Sequence, residues 1–486
     1  MTIVARTTAE RLRLIAAQLA PQTALSSTDD ADAAVARLVA AGVTATSESA
    51  YLVRAVLDGA IPEPEEVVAA ERLWRVEGLG ELVRERLRAA RWRRRPAVRV
   101  SNGILVDATD TGRTPYTTGI QRVARESIAR WPLARIELVC WDRSRPRIHT
   151  ATDEERALIL SAAESAAAQE AGHGDEVVVP FHATYVLPEI SVARHRYRGI
   201  RTVARHSGSR LVAVGFDCIA ITTAEIAPPG MPAAFAQYLA SLASFDEVVA
   251  ISRAAAAEFE GWRRMLGGAG LPGPAVSVAE LPFAVGDVDE SVIEATRREL
   301  GLDPALPVVV AVGSHEPRKN HVAFLHACEL LWQQGAQFAV VMAGGASWDS
   351  DLFDDFVAEL KQRGRPLTTV SRASDATIWA LYRLARFSVF CSLNEGFGLP
   401  VAESLASGTP VVTSGFGSMR ELAEGHGGVL ADPREPRSIA EAMRVLLDDD
   451  AELARLAAET AALPRATWDD YAATLWRGIE GAAVSA

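Results

Sequence analysis

From about residue 100 onward, short apolar runs alternate with longer stretches that have helical spacing, and this series occurs twice. The first series has strand-like runs at residues 104–107, 136–140, 176–181, 211–216, 247–251 and 276–281. The second series has them at Val308, Ala339, Leu367, Phe387, Val411 and Val429. Apolar strands between helices are typical of parallel sheets covered on both faces. The sequence therefore predicts two doubly wound α/β domains with a cleft between them.

Changes in this pattern predict the domain boundaries. Residues 1–96 are rich in Ala, Leu, Glu and Arg at helical spacing, so we expect a helical amino-terminal domain. The two α/β domains are predicted over residues 97–286 and 287–465, and residues 466–486 predict a terminal amphipathic helix. Ligands in open α/β sheets bind at the carboxyl ends of the strands, so the functional residues are expected there.

Composition narrows the class of protein. With 486 residues, 49% hydrophobic and 23% charged, the chain is expected to be a soluble globular protein of two to four domains. Its net charge of -12 argues against nucleic acid as a partner. The four cysteines have no metal-ligand or redox spacing, and the first residues lack the apolar core of a signal peptide. No apolar run is long enough to span a membrane, so we expect a cytoplasmic protein.

The segment from Cys391 to Glu403 places two carboxylates, Glu395 and Glu403, around a Gly-Phe-Gly-Leu-Pro turn. A strand-like run precedes the turn, and a helix-compatible run at residues 400–407 follows it. The free N–H groups at such a helix start carry partial positive charge and suit a phosphate. Because Glu395 falls in the loop and Glu403 lies one turn into the helix, both can face a ligand at the end of the strand.

A second pattern lies upstream, where a buried strand at residues 308–312 is followed by the loop from Gly313 to Asn320. This loop carries the adjacent cations Arg318 and Lys319. Lys319 is one of only two lysines among fifty basic residues, so its use here is unusual for this chain. The ammonium gives a compact charge and the guanidinium a planar fork, and together they suit a diphosphate.

These residues resemble the retaining glycosyltransferases of family 4, which have the GT-B architecture of two Rossmann-like domains. The Arg-Lys-Asn loop and the Glu-(seven residues)-Glu segment stand in the order of that family, as do Ala343-Gly344-Gly345 and the stretch from Tyr382 to Arg386. The resemblance runs from about residue 308 to about residue 430. It is weaker at Thr118-Gly-Ile-Gln-Arg122 and faint at residues 215–217 and 251–252, and it does not extend to residues 1–96.

The resemblance implies roles for the matching residues. Glu403 would hold the ribose hydroxyls of a sugar nucleotide, Glu395 would contact the transferred hexose, and Arg318 and Lys319 would neutralise the diphosphate leaving group. The further donor-binding candidates are Gly119, Gly313, Gly344, Ser371, Gly396, Phe397, Gly398 and Leu399. Each has a structural alternative as well, because glycines form turns and a loop carboxylate can cap a helix.

Two residues of the first α/β domain complete the predicted catalytic set. His182 follows a strand-like run and is expected to face the cleft, because a histidine of this domain touches the donor sugar in related enzymes. Asp217 ends another strand, where the family often has His-Asp and this chain has Phe216 before the aspartate. With Arg318 and Lys319 at the phosphates no metal ion is required, and we predict none. Asp349, part of an Asp-x-Asp triplet, is expected to cap a helix.

The implied function is that of a retaining hexosyltransferase in polysaccharide biosynthesis, with a nucleotide-sugar donor, a glycan or lipid-linked acceptor and no cofactor. The Thr-Gly-Ile-Gln-Arg loop is similar to that of bacterial polysaccharide mannosyltransferases, so GDP-mannose is the first donor expected. The run from Arg84 to Arg99 holds eight arginines and Trp92, and it is either a peripheral contact with anionic membrane or a solvated helix end. The helical amino-terminal domain could bind a protein partner.

Other functions remain open. A Rossmann-type oxidoreductase would need a Gly-x-Gly-x-x-Gly turn after its first strand, and residues 107–121 lack one. A phosphorylase of this architecture would attach pyridoxal phosphate to a lysine, and only Lys319 and Lys361 are available. The main alternative is a non-catalytic sugar-nucleotide-binding or scaffold protein on the same fold.

Overall fold

The computed structural model describes residues 4–23, 25, 30–89, 96–115, 118–161, 176–345, 349–463 and 466–481 of the chain. Within them, two α/β domains follow one another, each built on a mainly parallel sheet with helices packed against it. Helices precede the first sheet and one helix follows the second domain. The predicted architecture of two doubly wound domains with an added helical segment is therefore confirmed.

The amino-terminal helices are α1 (Thr8–Leu19), α2 (Ala31–Ala40), α3 (Ser47–Asp58), α4 (Pro64–Glu77) and α5 (Leu79–Ala89). Side chains of Thr7, Asp30 and Thr46 accept hydrogen bonds from the first turns of α1, α2 and α3, which fixes where these helices begin. One buried apolar cluster runs from these helices into the first α/β domain. The helical segment is thus packed onto that domain rather than tethered to it.

The described residues of the first α/β domain form nine strands in two sheets. They are β1 (Ala97–Ser101), β2 (Ile104–Asp107), β3 (Ile136–Trp141), β4 (Ile148–Thr150), β5 (Glu176–Pro180), β6 (Thr184–Leu187), β7 (Arg210–Gly215), β8 (Glu247–Ala250) and β9 (Ala275–Val278). Seven strands form the main sheet in the order β4-β3-β2-β6-β7-β8-β9, and all neighbours are parallel except β3 and β4. The carboxyl ends of β2, β6, β7 and β8 therefore share one edge.

The predicted strand at residues 176–181 forms β5, but β5 pairs only with β1 in a separate two-stranded sheet. The chain then turns at His182, where φ is 47°, and enters β6, which joins the main sheet. His182 therefore lies at the amino ends of the main strands, with its Nε2 3.2 Å from the Glu48 carboxylate. Its predicted position facing the cleft is wrong, because an apolar run identifies a strand but not the partner with which it pairs.

The helices of this domain are α6 (Gly119–Arg130), α7 (Asp153–Ile159), α8 (Arg194–His206), α9 (Ile219–Thr222), α10 (Met231–Leu242) and α11 (Arg253–Gly268). Short 3₁₀ turns lie at Thr111–Arg113, Leu133–Arg135 and Ala224–Ile226. Helix α6 begins at Gly119 because Thr118 and Gln121 form a capping box. This start directs the side chains of its first turns toward the second domain.

All six strand-like runs predicted for the second domain form strands. They are β10 (Val308–Val312), β11 (Ala339–Ala343), β12 (Leu367–Val370), β13 (Phe387–Phe390), β14 (Val411–Ser414) and β15 (Gly428–Ala431). The sheet is parallel throughout, in the order β12-β11-β10-β13-β14-β15. Because β10 and β13 are neighbours, the loops that follow them meet at one edge of the sheet.

The second domain has the helices α12 (Glu290–Glu299), α13 (His321–Gln333), α14 (Asp351–Gln362), α15 (Asp375–Leu384), α16 (Leu399–Ala406), α17 (Gly417–Ala423), α18 (Pro436–Asp448) and α19 (Asp450–Thr460), and a 3₁₀ turn at Pro317–Lys319. The predicted cap at Asp349 is wrong. Ser350 takes the cap position of α14, and Asp349 has a φ of 56° one residue earlier. A left-handed residue before the cap turns the chain away from the helix, so the side chain of Asp349 does not cap it.

The last described helix, α20 (Trp468–Glu480), packs on α6 of the first α/β domain. Trp131, which ends α6, donates its indole N–H to the carbonyl of Ala472 at 3.2 Å. The chain therefore returns from the second domain to the first. Among the described helices, none is both long enough and apolar enough to cross a bilayer.

Candidate active site

Glu395 lies just beyond β13 and is held by the two cations of the loop after β10. Its Oε1 is 2.7 Å from Lys319 Nζ and 2.7 Å from Arg318 Nη1, and it accepts a third hydrogen bond from Ser392 Oγ at 2.7 Å. The Glu395 side chain is only 10% exposed. The neighbouring ends of β10 and β13 thus bring three residues predicted from the sequence into one cluster.

Electrostatics keep this cluster ionised. Burial would raise the pKa of Glu395, but Lys319 and Arg318 outweigh burial and lower that pKa to about 2. Burial would lower the pKa of Arg318, but Glu395 and Glu316 outweigh it and raise that pKa. Two cations therefore stand at the end of the sheet with a carboxylate between them. An entering diphosphate could take the place of that carboxylate.

Asp217 reaches the same cluster from the first α/β domain, two residues beyond the end of β7. Burial raises the pKa of its carboxyl to about 6, although the N–H of Ile219, 3.0 Å away, and the charge of Arg318 oppose this rise. The charges of Glu258 and Glu395 add to the rise. The charge of Asp217 is therefore expected to change near neutral pH, whereas Glu395 stays ionised there.

Gly396 is where the two α/β domains approach most closely. Its carbonyl oxygen accepts a hydrogen bond from Ser252 Oγ at 2.6 Å. A Cβ on Gly396 would lie 2.2 Å from the carbonyl oxygen of Phe216, a distance that real side chains do not adopt. Glycine is therefore required at this position by the opposite domain as well as by the turn. The sequence predicts Gly396 as a turn and donor-binding residue and gives no sign of this contact.

Glu403 lies one turn into α16 and is held by a different cation. Its Oε1 accepts a hydrogen bond from Nη1 of Arg122 on α6 at 2.8 Å, and its side chain is 12% exposed. Burial raises the pKa of Glu403, and Arg122 opposes this rise. Arg122 was not among the predicted site residues, since no local pattern connects two residues 281 positions apart.

The remaining predicted donor-binding residues lie along the same edge. Gly313 has a φ of 149°, and a Cβ on Gly344 would lie 1.8 Å from its carbonyl oxygen, so these two loops touch through their backbones. Ser371 is exposed just after β12. A Cβ on Gly119 would lie 3.4 Å from Leu399 Cδ1, which joins the start of α6 to the start of α16.

The turn before α16 is built from Phe397 and Gly398. Phe397 is buried, and Gly398, with a φ of 98°, is the residue from which the helix begins. A positive φ is favourable only for glycine, so Gly398 sets the direction of α16 and thereby the position of Glu403. The structure thus brings the predicted site residues of the second domain, Gly119 and Asp217 to one interface and leaves His182 at the far edge of the first sheet.

His321 supports the loop that carries the cations. Its buried ring places Nε2 3.1 Å from the carbonyl oxygen of Ser314 and 3.3 Å from that of Gly313. Burial, and then the proximity of His315 and Lys319, lower its pKa to about 4, so the ring is neutral at pH 7 and donates its Nε2–H. No group of three or more His, Cys, Asp or Glu side chains in the described parts of the chain is placed to hold a metal ion.

Comparison with known proteins agrees with this geometry. Residues 292–462 match the family Glycosyl transferases group 1. The serotype-specific mannosyltransferase WbdA of Escherichia coli is 26% identical over 263 residues, which are 52% of this chain and 32% of that protein. The O-antigen chain mannosyltransferase B of Escherichia coli is 33% identical over 143 residues, 29% of this chain and 36% of that protein. This chain thus matches about a third of the length of these relatives.

This chain is similar in fold to a solved structure. The structure of Anabaena Alr3699/HepE in complex with UDP and glucose superposes with a TM-score of 0.57 and 15% identity, and the match covers 78% of this chain and 99% of that one. At such an identity the likeness concerns the fold alone, and this fold is GT-B.

Proposed function

We propose, from the membership of residues 292–462 in the glycosyl transferases group 1 family, that this protein is a glycosyltransferase that uses a nucleotide-sugar donor. The observation that carries the proposal is the cluster of Lys319, Arg318 and Glu395, which faces Asp217 of the other domain across the closed cleft. A mostly buried pair of cations in the loop that follows β10 suits a diphosphate.

The proposed reaction follows from these charges. Lys319 and Arg318 stabilise the negative charge that builds up on the diphosphate as its bond to the anomeric carbon breaks. Glu395, released by the diphosphate, accepts hydrogen bonds from the hydroxyls of the hexose. The acceptor oxygen forms its bond on the same face of the sugar and gives its proton to the departing phosphate oxygen. The configuration at the anomeric carbon is then retained.

The donor that we propose first is GDP-mannose, because both Escherichia coli relatives are named as mannosyltransferases. The structural neighbour holds UDP and glucose, so UDP-glucose is the competing donor. The proposed acceptor is a glycan or a lipid-linked glycan in cell-surface polysaccharide synthesis.

A membrane contact through the arginines from Arg84 to Arg99 also remains a proposal. Residues 90–95 lie outside the described residues, and of the others Arg86 pairs with Asp58 at 3.1 Å. Binding of a protein partner by the amino-terminal helices is a proposal of the same kind.

A direct test is to incubate the protein with GDP-mannose or UDP-glucose and a set of mannosylated and lipid-linked acceptors. Release of GDP or UDP would be followed together with the NMR spectrum of the product. Acceptor-dependent release with an axial anomeric linkage from an axial donor would support retaining transfer. A folded protein that releases neither nucleotide and binds neither donor in calorimetry would contradict the proposal.

A further inference from the structure

The carboxylate of Glu403, in the second domain, is paired with a positively charged side chain of the first α/β domain. Arg122 donates one hydrogen bond to Oε1 at 2.8 Å, and the pair is mostly shielded from water, with side-chain exposures of 23% for Arg122 and 12% for Glu403. An opposite charge this close favours the ionised form of a buried carboxyl group. Arg122 is therefore placed to decide the charge of Glu403.

Arg122 is itself fixed by the last described helix. Its guanidinium carbon lies 6.0 Å from the centre of the Trp468 ring, within the range of a cation–π contact. Trp468 is the first residue of α20, which packs on α6. The side chain is thus held between the two domains and α20, so its position depends on the closed arrangement of the domains.

The pair leaves room for a ligand on the carboxylate. An ionised carboxylate has two oxygens with about four lone-pair sites, and Arg122 uses one of them. Oε2 of Glu403 accepts no hydrogen bond from the described residues. Two hydroxyls of a ribose could bind while Arg122 remains in place, so the arginine need not compete with the nucleotide.

The other groups that face Glu403 come from α15, and they act against its ionisation. The charge of Asp375 raises the pKa of Glu403. The hydroxyl of Tyr382 is buried and has no hydrogen-bond partner among the described residues, and Glu403 raises the pKa of that hydroxyl. Arg122 is the cation that faces Glu403, and it is supplied by the opposite domain.

We infer that Arg122 is a positioning residue that keeps Glu403 ionised, so that the ribose site of a nucleoside diphosphate is complete only when the two domains are closed. This inference rests on the proposed function, in which Glu403 holds the ribose. It adds a residue of the first α/β domain to a site otherwise formed by the second. Without Arg122, Glu403 takes up a proton at a higher pH and loses lone-pair sites for the ribose.

The test is calorimetric binding of GDP and UDP to the full chain between pH 5 and 8, for wild type, R122Q, R122K, E403Q and the double variant R122Q/E403Q. The matched control is R130Q, which changes an arginine of the same helix that pairs with Asp469. Titration of the nucleotide phosphates is common to all proteins, so only differences between variants are interpreted. Thermal unfolding confirms that each variant is folded.

We expect R122Q to bind the nucleotide almost as well as wild type at pH 8 and to lose binding on acidification about 1–3 pH units above wild type. R122K, which keeps a positive charge, should restore most of the wild-type pH profile of nucleotide binding. The control R130Q should have the same pH profile as wild type. In the E403Q background, adding R122Q should not change the pH dependence of nucleotide binding any further. An equal loss at every pH would overturn the inference by showing that Arg122 binds the nucleotide itself, and tighter binding by R122Q would overturn it by showing competition.

Failure of the proposed function gives a different result. In that case, folded wild-type protein binds neither GDP nor UDP at any pH. If wild type binds a nucleotide and R122Q has the same pH profile, the proposed function stands and the inference on Arg122 is wrong.

Discussion

At the scale of single residues, the two cations that we propose bind a diphosphate are paired with carboxylates of the protein. Lys319 and Arg318 both contact Glu395 Oε1, and Arg318 also contacts Glu316 at 2.5 Å. A buried charge without a partner is costly, so the site keeps its charges paired when no donor is bound. Donor binding then exchanges one anion for another. The cations are in position before the reaction begins, which is the condition for effective electrostatic stabilisation.

Lys319→Ala should therefore lower kcat strongly. Loss of one preorganised charge at a developing anion costs about 2.7–4 kcal/mol, or about 10²–10³ in rate. The control is Lys361→Ala, because Lys361 is the only other lysine in the sequence and its exposed Nζ donates to Thr369 Oγ1 at 3.0 Å. Steady-state kinetics with the preferred donor would measure both. Similar activity in the two variants would show that Lys319 does not stabilise the leaving group.

Asp217 provides a prediction on pH. Burial raises the pKa of its carboxyl to about 6 in the folded protein, from an ordinary value of 3.8. A raised pKa of an acid means that the folded state binds the proton more tightly. The contribution of the Asp217 carboxyl to the free energy of unfolding is therefore fully present below pH 3.8, and it is lost as the pH rises through 6.

Asp217→Asn should therefore be more stable than wild type at pH 7–8, by about 1–2 kcal/mol after allowance for partial exposure of the side chain. The difference should shrink as the pH falls from 6 toward 4. Urea unfolding of both proteins at pH 5, 6, 7 and 8 would measure it. A difference that does not vary with pH would show that Asp217 does not titrate in this range.

At the scale of elements, the turn between β13 and α16 is shaped by the opposite domain. Gly396→Ala would place a methyl group against the carbonyl oxygen of Phe216, so either the domains move apart or the turn shifts. Because the turn carries Glu395, we expect donor KM to rise and kcat to fall at least tenfold. Loss of fit of this kind costs about 1–3 kcal/mol.

The control for this variant is Gly267→Ala. Gly267 lies in α11, and a Cβ there would meet no atom within 4 Å. In a helix, alanine is favoured over glycine by about 0.5–1 kcal/mol, so this change should be neutral or slightly stabilising. Kinetics and thermal unfolding of both variants provide the comparison. Normal kinetics for Gly396→Ala would mean that the cleft is open during catalysis.

The elements also show what the sequence can predict. The strands of the second domain are buried apolar runs between helices, and the residues that follow β10 and β13 meet because these strands are neighbours. The cluster of Glu395 with Arg318 and Lys319 follows from local pattern and this rule. Strand β4 has only three residues, too few for a periodic signal, and it is not predicted. Strands β1 and β6 are missed as well. Contacts such as Ser252 with Gly396 arise only from the way the domains close, which no local pattern records.

At the scale of the whole molecule, polar contacts join the two α/β domains across the cleft, beside a buried apolar cluster that contains residues of both domains. Ser252 caps α11 by accepting from the N–H of Ala255, and the same hydroxyl donates to Gly396. Asn394 of the second domain donates to Thr222 Oγ1 at 3.0 Å. Contacts of this kind each contribute about 0.5–1.5 kcal/mol to the closed arrangement.

Another polar contact between the domains is made by Glu421 on α17. Its carboxylate accepts hydrogen bonds from the backbone N–H groups of Arg253 and Ala254, at 3.1 and 3.0 Å, and from Nε of Arg253. A residue of the second domain thus caps the first turn of a helix in the first domain. A carboxylate at a helix start is favoured both by the free N–H groups and by the helix dipole.

Glu421→Gln should therefore shift the molecule toward an open state. Loss of the charge at the helix start and of the pair with Arg253 should cost about 1 kcal/mol, since Arg253 is largely exposed. Such a loss changes the ratio of closed to open molecules about fivefold, which should raise the radius of gyration in X-ray scattering and raise donor KM with little change in kcat. Glu424→Gln, which breaks a surface pair with Arg420 within the second domain, is the matched control and should change neither quantity. Because the candidate site residues come from both domains, a variant that opens the cleft without any rise in donor KM would contradict the view that closure assembles the site.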